Sequence, residues 1–133
     1  MIVIDASAIV ELITDENGLA ARVGEALYED PEWVCPAHTV VEVASALRGL
    51  WLGGRSSREE CEARFAALAR IHPVEYSVTP LLERIMELAP NASAYDAAYV
   101  ALAERLRVPL LTTDAKLARI PEHHADVRVI GRP

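Results

Sequence analysis

Residues 2–12, IVIDASAIVEL, begin with three consecutive apolar residues and then meet an acid at Asp5. A short apolar run without alternation is typical of a strand buried on both faces of a parallel sheet. From Ala6 to Leu12 the pattern changes to that of a helix. The stretch therefore predicts a buried strand over 2–4 that ends at Asp5 and leads directly into a helix.

The rest of the chain alternates short strands with helices. Apolar runs predict further strands at 33–35, 74–78, 109–113 and 127–130. Helical spacing, with Ser57 and Glu60 as a capping box, predicts helices at 18–28, 39–52, 57–71, 80–90 and 93–107. This alternation is typical of an α/β domain in which a mainly parallel sheet is covered by helices on both faces.

The composition is that of an ordinary globular domain. The chain has 133 residues, of which 52% are apolar and 25% charged, and this length fits one domain with its own core. The net charge of -7 argues mildly against a nucleic-acid-binding protein, since phosphate affinity usually depends on a basic surface. The basic residues are 12 arginines and Lys116, however, and arginine is well suited to bidentate phosphate contacts.

The cysteines and the N-terminus predict a cytoplasmic protein. Cys35 and Cys61 match no metal-binding spacing, and we expect two free, buried thiols. No basic leader precedes Asp5, which argues against a signal peptide. No apolar run reaches the ~18 residues needed to span a bilayer, so we expect no membrane segment.

Most acids lie in polar stretches, but four stand in apolar surroundings. Asp5 and Asp114 each follow a predicted apolar strand directly, whereas Glu42 and Asp96 each stand alone near the start of a predicted helix. The strands of a parallel sheet present their carboxyl ends at one edge, and the helices that follow them begin at that edge. We therefore expect the four carboxylates to meet there.

Helix capping offers a purely structural explanation of the same residues. The segments 39–42 and 93–96 match the capping box, and Asp5 and Asp114 could cap the helices that follow them. Capping explains any one of these acids well. It explains less well why four of them occur in apolar surroundings at one predicted edge.

Carboxylates that converge must bind a cation or keep their protons. Two carboxylates about 6 Å apart repel each other by roughly 3 kcal/mol at an effective dielectric constant of ~20. Since every candidate ligand is a carboxylate oxygen, the pattern favours Mg²⁺, with Mn²⁺ as a substitute, over Zn²⁺. Hydroxyls of Ser7, Thr112 and Thr113 are placed to orient the acids or a bound water, although each also suits a cap or a turn. Such an open site suits phosphodiester hydrolysis.

The same residues resemble the four motifs of PIN domains. IDAS at 4–7 resembles the opening strand motif, and VEVASAL at 41–47 is similar to the segment that carries the second acid. YDAAYVALA at 95–103 and LTTDAKL at 111–117 resemble the third and fourth motifs. The order and spacing of the motifs extend over nearly the whole chain and are similar to those of the small VapC toxins of toxin–antitoxin pairs.

The resemblance implies a three-layer α/β/α PIN-like domain over 1–133 and a Mg²⁺- or Mn²⁺-dependent ribonuclease that hydrolyses RNA with metal-activated water. Carried over to this chain, it implies Asp5, Glu42, Asp96 and Asp114 as catalytic residues that bind the metal or orient a water on it. It also implies a homodimer and a cognate VapB-type antitoxin.

Other interpretations remain open on the residues alone. A phospho-receiver domain also has acids, Thr and Lys at strand ends, but receivers carry adjacent acids after the first strand, and Asp5 has no acidic neighbour. A PIN-like protein that only binds a partner would share the fold without the chemistry, and the same chemistry would also serve DNA. The candidates for an RNA-binding surface, which suit a solvated helix face equally well, are Arg48, Arg55, Arg58 and Arg64.

Overall fold

Five short strands form one sheet in the computed structural model, which describes residues 1–131. The last two residues of the predicted domain 1–133 lie outside the described residues. The strands are β1 (Ile2–Ile4), β2 (Trp33–Pro36), β3 (Val74–Tyr76), β4 (Leu110–Thr112) and β5 (Val127–Val129). The helices are α1 (Ala6–Thr14), α2 (Ala20–Glu29), α3 (Thr39–Leu52), α4 (Arg58–Ile71), α5 (Leu82–Leu88) and α6 (Ala94–Leu106), with 3-10 turns at Thr79–Leu81 and Leu117–Arg119.

The strand order places β1 at the centre of a three-layer fold. The order is β3-β2-β1-β4-β5, and all neighbouring strands pair in parallel. The chain runs outward from β1 to β3 and then crosses back to β4. Right-handed crossovers in opposite directions place α1–α4 on one face and α5 and α6 on the other. The contacts agree, because α1 packs against α2, α3 and β4, and α6 packs against α5, β1 and β2. The predicted α/β/α architecture is confirmed.

The core surrounds β1 and α6. Every residue of β1 is buried, and Val3 pairs with Val34 on one side and Leu110 on the other. In α6 the seven consecutive residues of 97–103 are buried, and four of them are alanines. Small side chains let this helix lie close to the sheet, and α5 packs against it. This packing holds the first turn of α6 at a fixed position beside the ends of β1 and β4.

Most predicted elements have the expected bounds, and the differences have local causes. The helix 39–52 and the capping box of α4 are confirmed, with Ser57 Oγ accepting from the backbone N–H of Glu60 at 3.0 Å. The second helix begins at Ala20 rather than residue 18, because Gly18 has a φ of +72° and forms part of a turn. The helix expected at 80–90 begins only at Leu82, since Pro80 lies in a 3-10 turn.

Both cysteines are free and buried, as predicted. Burial raises the pKa of Cys35 to about 11, so its thiol stays protonated at neutral pH. Among residues 1–131, no helix is both long and apolar enough to cross a membrane.

Candidate active site

The predicted acids lie at the carboxyl edge of the sheet, beside the neighbouring strands β1 and β4. The crossovers leave these two strands in opposite directions, and open α/β sheets bind ligands at such a switch point. Asp5 directly follows β1, Thr112 ends β4, and Asp114 lies two residues further on. The backbone N–H of Asp5 donates to the carbonyl of Leu111 at 2.9 Å, which ties the two strand ends together.

Two hydroxyls hold the carboxylate of Asp5, which is only 5% exposed. Ser7 Oγ donates to Asp5 Oδ2 at 2.5 Å, and Thr112 Oγ1 donates to the same oxygen at 2.7 Å. Both hydroxyls are themselves held, since Ser7 accepts from the N–H of Thr113 at 3.0 Å and Thr112 from that of Asp114 at 2.9 Å. Within residues 1–131 the other oxygen, Asp5 Oδ1, receives no hydrogen bond. The network therefore fixes the carboxylate and leaves one oxygen to a ligand.

The environment of Asp5 disfavours its charge. Burial raises the pKa of Asp5, and repulsion from Glu42 and Asp96 raises it further, whereas the hydrogen bonds from Ser7 and Thr112 offset only part of this increase. An ionised Asp5 is therefore costly until a cation comes close.

Capping accounts for these acids only in part. Asp5 occupies the N-cap position of α1, but its side chain makes no capping hydrogen bond. Thr39 does not cap α3, since it is the first residue of the helix and His38 precedes it at the N-cap. Ser93 does cap α6, where its hydroxyl accepts from the N–H of Asp96 at 3.1 Å. The structure therefore rejects the capping explanation for Asp5 and Glu42.

Tyr99 and His38 hold Glu42. The hydroxyl of Tyr99, a fully buried residue, donates to Glu42 Oε2 at 2.7 Å. Nε2 of His38 lies 3.4 Å from the same oxygen without the alignment of a hydrogen bond. Partial burial raises the pKa of Glu42, but the interactions with His38 and Tyr99 outweigh it, so the pKa lies below its ordinary value. The two acids thus differ, because the protein favours the charge of Glu42 and opposes that of Asp5.

Asp96 and Asp114 lie beside the cation of Lys116. Asp114 Oδ1 accepts from the backbone N–H of Lys116 at 2.9 Å, and its Oδ2 lies 3.7 Å from Lys116 Nζ. Burial raises the pKa of Asp96, repulsion from Asp114 and Glu42 adds to this, and the charge of Lys116 opposes it without cancelling it. At this edge of the sheet, each of the four carboxylates is therefore close enough to at least one of the others to repel it electrostatically. Within residues 1–131, however, no three Asp, Glu, His or Cys side chains lie close enough together to enclose a metal ion.

Three residues near the site were missed by the sequence analysis. Tyr99 could have been found, because it follows Asp96 by three positions and therefore lies on the same side of α6. The contact of His38 with Glu42 follows from an i,i+4 spacing, also visible in the sequence. Glu11 is a fifth acid in an apolar stretch; it is 2% exposed and accepts from the N–H of Asn17 at 2.5 Å. Glu11 thus supports the turn after α1.

The comparisons with known proteins agree with this arrangement. The PIN domain family matches residues 2–123, a range that contains all four acids. The ribonuclease VapC9 of Mycobacterium tuberculosis is 35% identical over 133 residues, which cover 99% of this chain and 100% of the relative. The chain belongs to the VapC family of PIN-domain proteins. For this PIN domain, the phospho-receiver interpretation is therefore wrong.

Solved structures show the same fold at low sequence identity. The crystal structure of VapC20 from M. tuberculosis, a toxin that cleaves the sarcin–ricin loop, has a TM-score of 0.70 at 16% identity and covers 96% of this PIN domain and 99% of that chain. A chain of a toxin–antitoxin complex from Klebsiella pneumoniae has a TM-score of 0.64 at 19% identity, with 97% of each chain covered.

The opposite environments of Asp5 and Glu42 predict opposite effects on stability. We expect Asp5→Asn to raise the free energy of unfolding at pH 7 in EDTA, because an amide oxygen still accepts from Ser7 and Thr112 without a buried charge. The matched change Glu42→Gln is expected to lower it, since the fold favours that charge. Urea denaturation of the three proteins measures both effects.

The pH dependence of these effects has a definite sign. The pKa of Asp5 in the folded protein lies above its ordinary value of 3.8. The loss of folding stability that its charge causes is therefore absent below pH 3.8 and develops as the pH rises through the folded pKa. The contribution of Glu42 is complete above 4.5 and is lost as the pH falls through its lowered folded pKa. A stability gain for Asp5→Asn that persists unchanged at pH 3 would contradict this explanation.

Proposed function

We propose that this protein is a Mg²⁺- or Mn²⁺-dependent endoribonuclease and the toxin of a toxin–antitoxin pair. The main support is the buried Asp5 at the switch point of the sheet. Two hydroxyls hold one of its carboxylate oxygens and leave the other to a ligand, and three further acids lie nearby. Its whole-length similarity to a protein named a ribonuclease supports RNA as the substrate.

The donors at this edge fit a hard divalent cation. They are carboxylates, and the pKa values of Asp5 and Asp96 are raised first by burial and then by repulsion from neighbouring acids, both of which a bound cation would counteract. Mg²⁺ is commonly held by one or two carboxylates, with waters and substrate phosphates as its other ligands, so a closed cage of three side chains is not required. Asp5 and Asp96 would hold the ion, and Glu42 and Asp114 would bind or orient its water.

The side chains of the protein contribute to the reaction in two ways, because they orient the reacting groups and supply negative charge. A bound Mg²⁺ or Mn²⁺ supplies a Lewis acid for the phosphate and lowers the pKa of a water. Ser7 and Thr112 keep Asp5 in one orientation, which spares the site the reorganisation of that side chain during the reaction. Glu42 stays ionised, and since Tyr99 occupies Oε2, its Oε1 is left to orient the attacking water. The water would attack the phosphorus in line and lose a proton to solvent. The bond between phosphorus and the 3′-oxygen would break and this oxygen would take up a proton from solvent, which leaves a 5′-phosphate and a 3′-hydroxyl.

We propose a VapB-type antitoxin and a second copy of the chain as its partners. The fold likeness to a chain of the Klebsiella complex supports an antitoxin. Val41, Met86 and Tyr95 are 64–74% exposed and offer apolar surface for an interface. We expect the chain alone to have twice its 14.5 kDa mass in light scattering, and a monomer across the concentration range would contradict the dimer.

RNA cleavage is expected to require both the metal and the acids. Purified protein should cleave a mixed RNA with Mg²⁺ or Mn²⁺ and not with EDTA, and Asp5→Asn or Asp96→Asn should reduce the rate more than about 100-fold. Gel analysis of the products, with a DNA of the same sequence run alongside, measures this result.

Identical purification of all variants controls for contaminating nucleases. If the wild type and both variants cleave equally, the activity belongs to a contaminant and the proposal fails. A wild type that binds RNA without cleaving it would instead support the silent binding module, and cleavage of the DNA would extend the substrate beyond RNA.

Tyr99 is expected to support metal binding through Glu42. Tyr99→Phe keeps the buried ring but removes the hydroxyl that holds Glu42 Oε2 at 2.7 Å. Groups that orient metal ligands typically contribute about 10–100-fold to affinity or activity, so we expect weaker Mn²⁺ binding by calorimetry and slower cleavage. The matched change Tyr28→Phe, at an exposed position of α2, should leave both unchanged. Equal Mn²⁺ affinities of the two variants would limit Tyr99 to a packing role.

A further inference from the structure

Two clefts flank the four carboxylates, and they differ in charge. One, with a volume of about 430 Å³, is lined by Asn91, Asp96, Lys116 and Arg119, and we name it the Lys116 cleft. The other, of about 330 Å³, contains Glu11 and Glu42, and no Lys, Arg or His of residues 1–131 lines it; we name it the Glu42 cleft. The surroundings of the site are therefore cationic on one side and acidic on the other.

Arg119 is exposed and, within residues 1–131, forms no ion pair or side-chain hydrogen bond. Its neighbour Lys116 is 72% exposed, and its 3.7 Å contact with Asp114 is a surface ion pair of small free energy. Both side chains can therefore turn toward an anion in the cleft at little cost.

The arginines that the sequence favoured for RNA are differently placed. Three of those four form ion pairs in the described part of the chain: Arg55 with Glu16, Arg58 with Glu62, and Arg64 with Glu60. An RNA phosphate would have to compete with these carboxylates for each guanidinium group. Arg48 on α3 is exposed and has no ion pair among the described residues, but it does not line a cleft that contains a site acid. Lys116 and Arg119 differ from all four of these arginines because they line the same cleft as Asp96.

We infer that the Lys116 cleft binds a backbone phosphate of single-stranded RNA next to the phosphate that is cleaved. The inference rests on the proposed function and adds the path of the substrate. The Lys116 cleft offers an RNA strand the cations of Lys116 and Arg119 beside Asp96, whereas the described lining of the Glu42 cleft offers it only acidic charge. Arg119 offers a bidentate donor pair for phosphate, and Lys116 offers a mobile point charge.

Phosphate binding in the Lys116 cleft would also reduce the repulsion between the RNA and the carboxylates of the site. The charge of Lys116 already acts on Asp96, where it opposes the effect of burial. A polyanion that approaches several carboxylates requires positive charge close to its own phosphates, and the net charge of -7 provides no general attraction. Local cations at the mouth of the site meet this need without a basic surface elsewhere.

The test is a double variant, Lys116→Gln with Arg119→Gln, compared with Arg107→Gln. Arg107 is also exposed and has no ion pair with any described residue, but it follows the last turn of α6, about 20 Å along the helix from Ser93. A fluorescently labelled single-stranded RNA of mixed sequence serves as the probe, for cleavage with Mn²⁺ and for anisotropy binding to each protein in the Asp5→Asn background. Lys116→Arg is the charge-conserving companion.

We expect the double variant to raise KM about tenfold with a smaller effect on kcat, and to reduce the slope of log affinity against log salt by roughly 0.7, the value for one phosphate of a single strand. Arg107→Gln should match the wild type, and Lys116→Arg should keep most of the affinity. If the wild type cleaves RNA but the double variant shows the KM and salt slope of Arg107→Gln, the inference is overturned and the proposed function stands. If the wild type neither binds nor cleaves RNA, the proposed function fails first.

Discussion

The burial of the Asp5 carboxylate at the end of the central strand is the constraint on which the rest of the site depends. β1 pairs with β2 and β4, so the end of this strand cannot shift without breaking the sheet. The carboxylate is therefore held where water cannot solvate it well. Ser7 from α1 and Thr112 from β4 supply two hydrogen bonds, which reduce the cost without removing it. A cation close to this carboxylate would lower the cost that remains.

The protein stabilises the charges of the neighbouring acids in different ways, and the roles that we propose for these acids differ accordingly. Glu42 has its own donors in Tyr99 and His38, so its charge is part of the stable fold. Asp96 stands on the first turn of α6, which the sheet and α5 hold in place through alanine-rich packing. Functional sites often carry such locally unfavourable groups, and the surrounding core provides the stability that tolerates them.

The charge distribution explains how an acidic protein can serve as a ribonuclease. Many of the arginines bond to carboxylates on the surface, as Arg84 does with Glu87 and Glu104, and these do not attract RNA. Net charge averages over such pairs and so gives a poor estimate of the potential at one cleft. In our proposal, the cations that bind the substrate are Lys116 and Arg119, which line the cleft beside Asp96 and have no strong partner among residues 1–131.

The sequence by itself determined the alternation of strands and helices, the parallel sheet and the position of each acid along the chain. Apolar runs and helical periodicity are local signals, and the site acids interrupt them visibly at Asp5, Glu42 and Asp96. Tertiary structure decided which hydroxyl bonds to which carboxylate, because Ser7 and Thr112 are 105 residues apart and meet only when β1 pairs with β4. It also decided that Asp5 is destabilised while Glu42 is stabilised, and which arginines are paired. These properties depend on burial and on long-range neighbours, which the order of residues along the chain does not reveal.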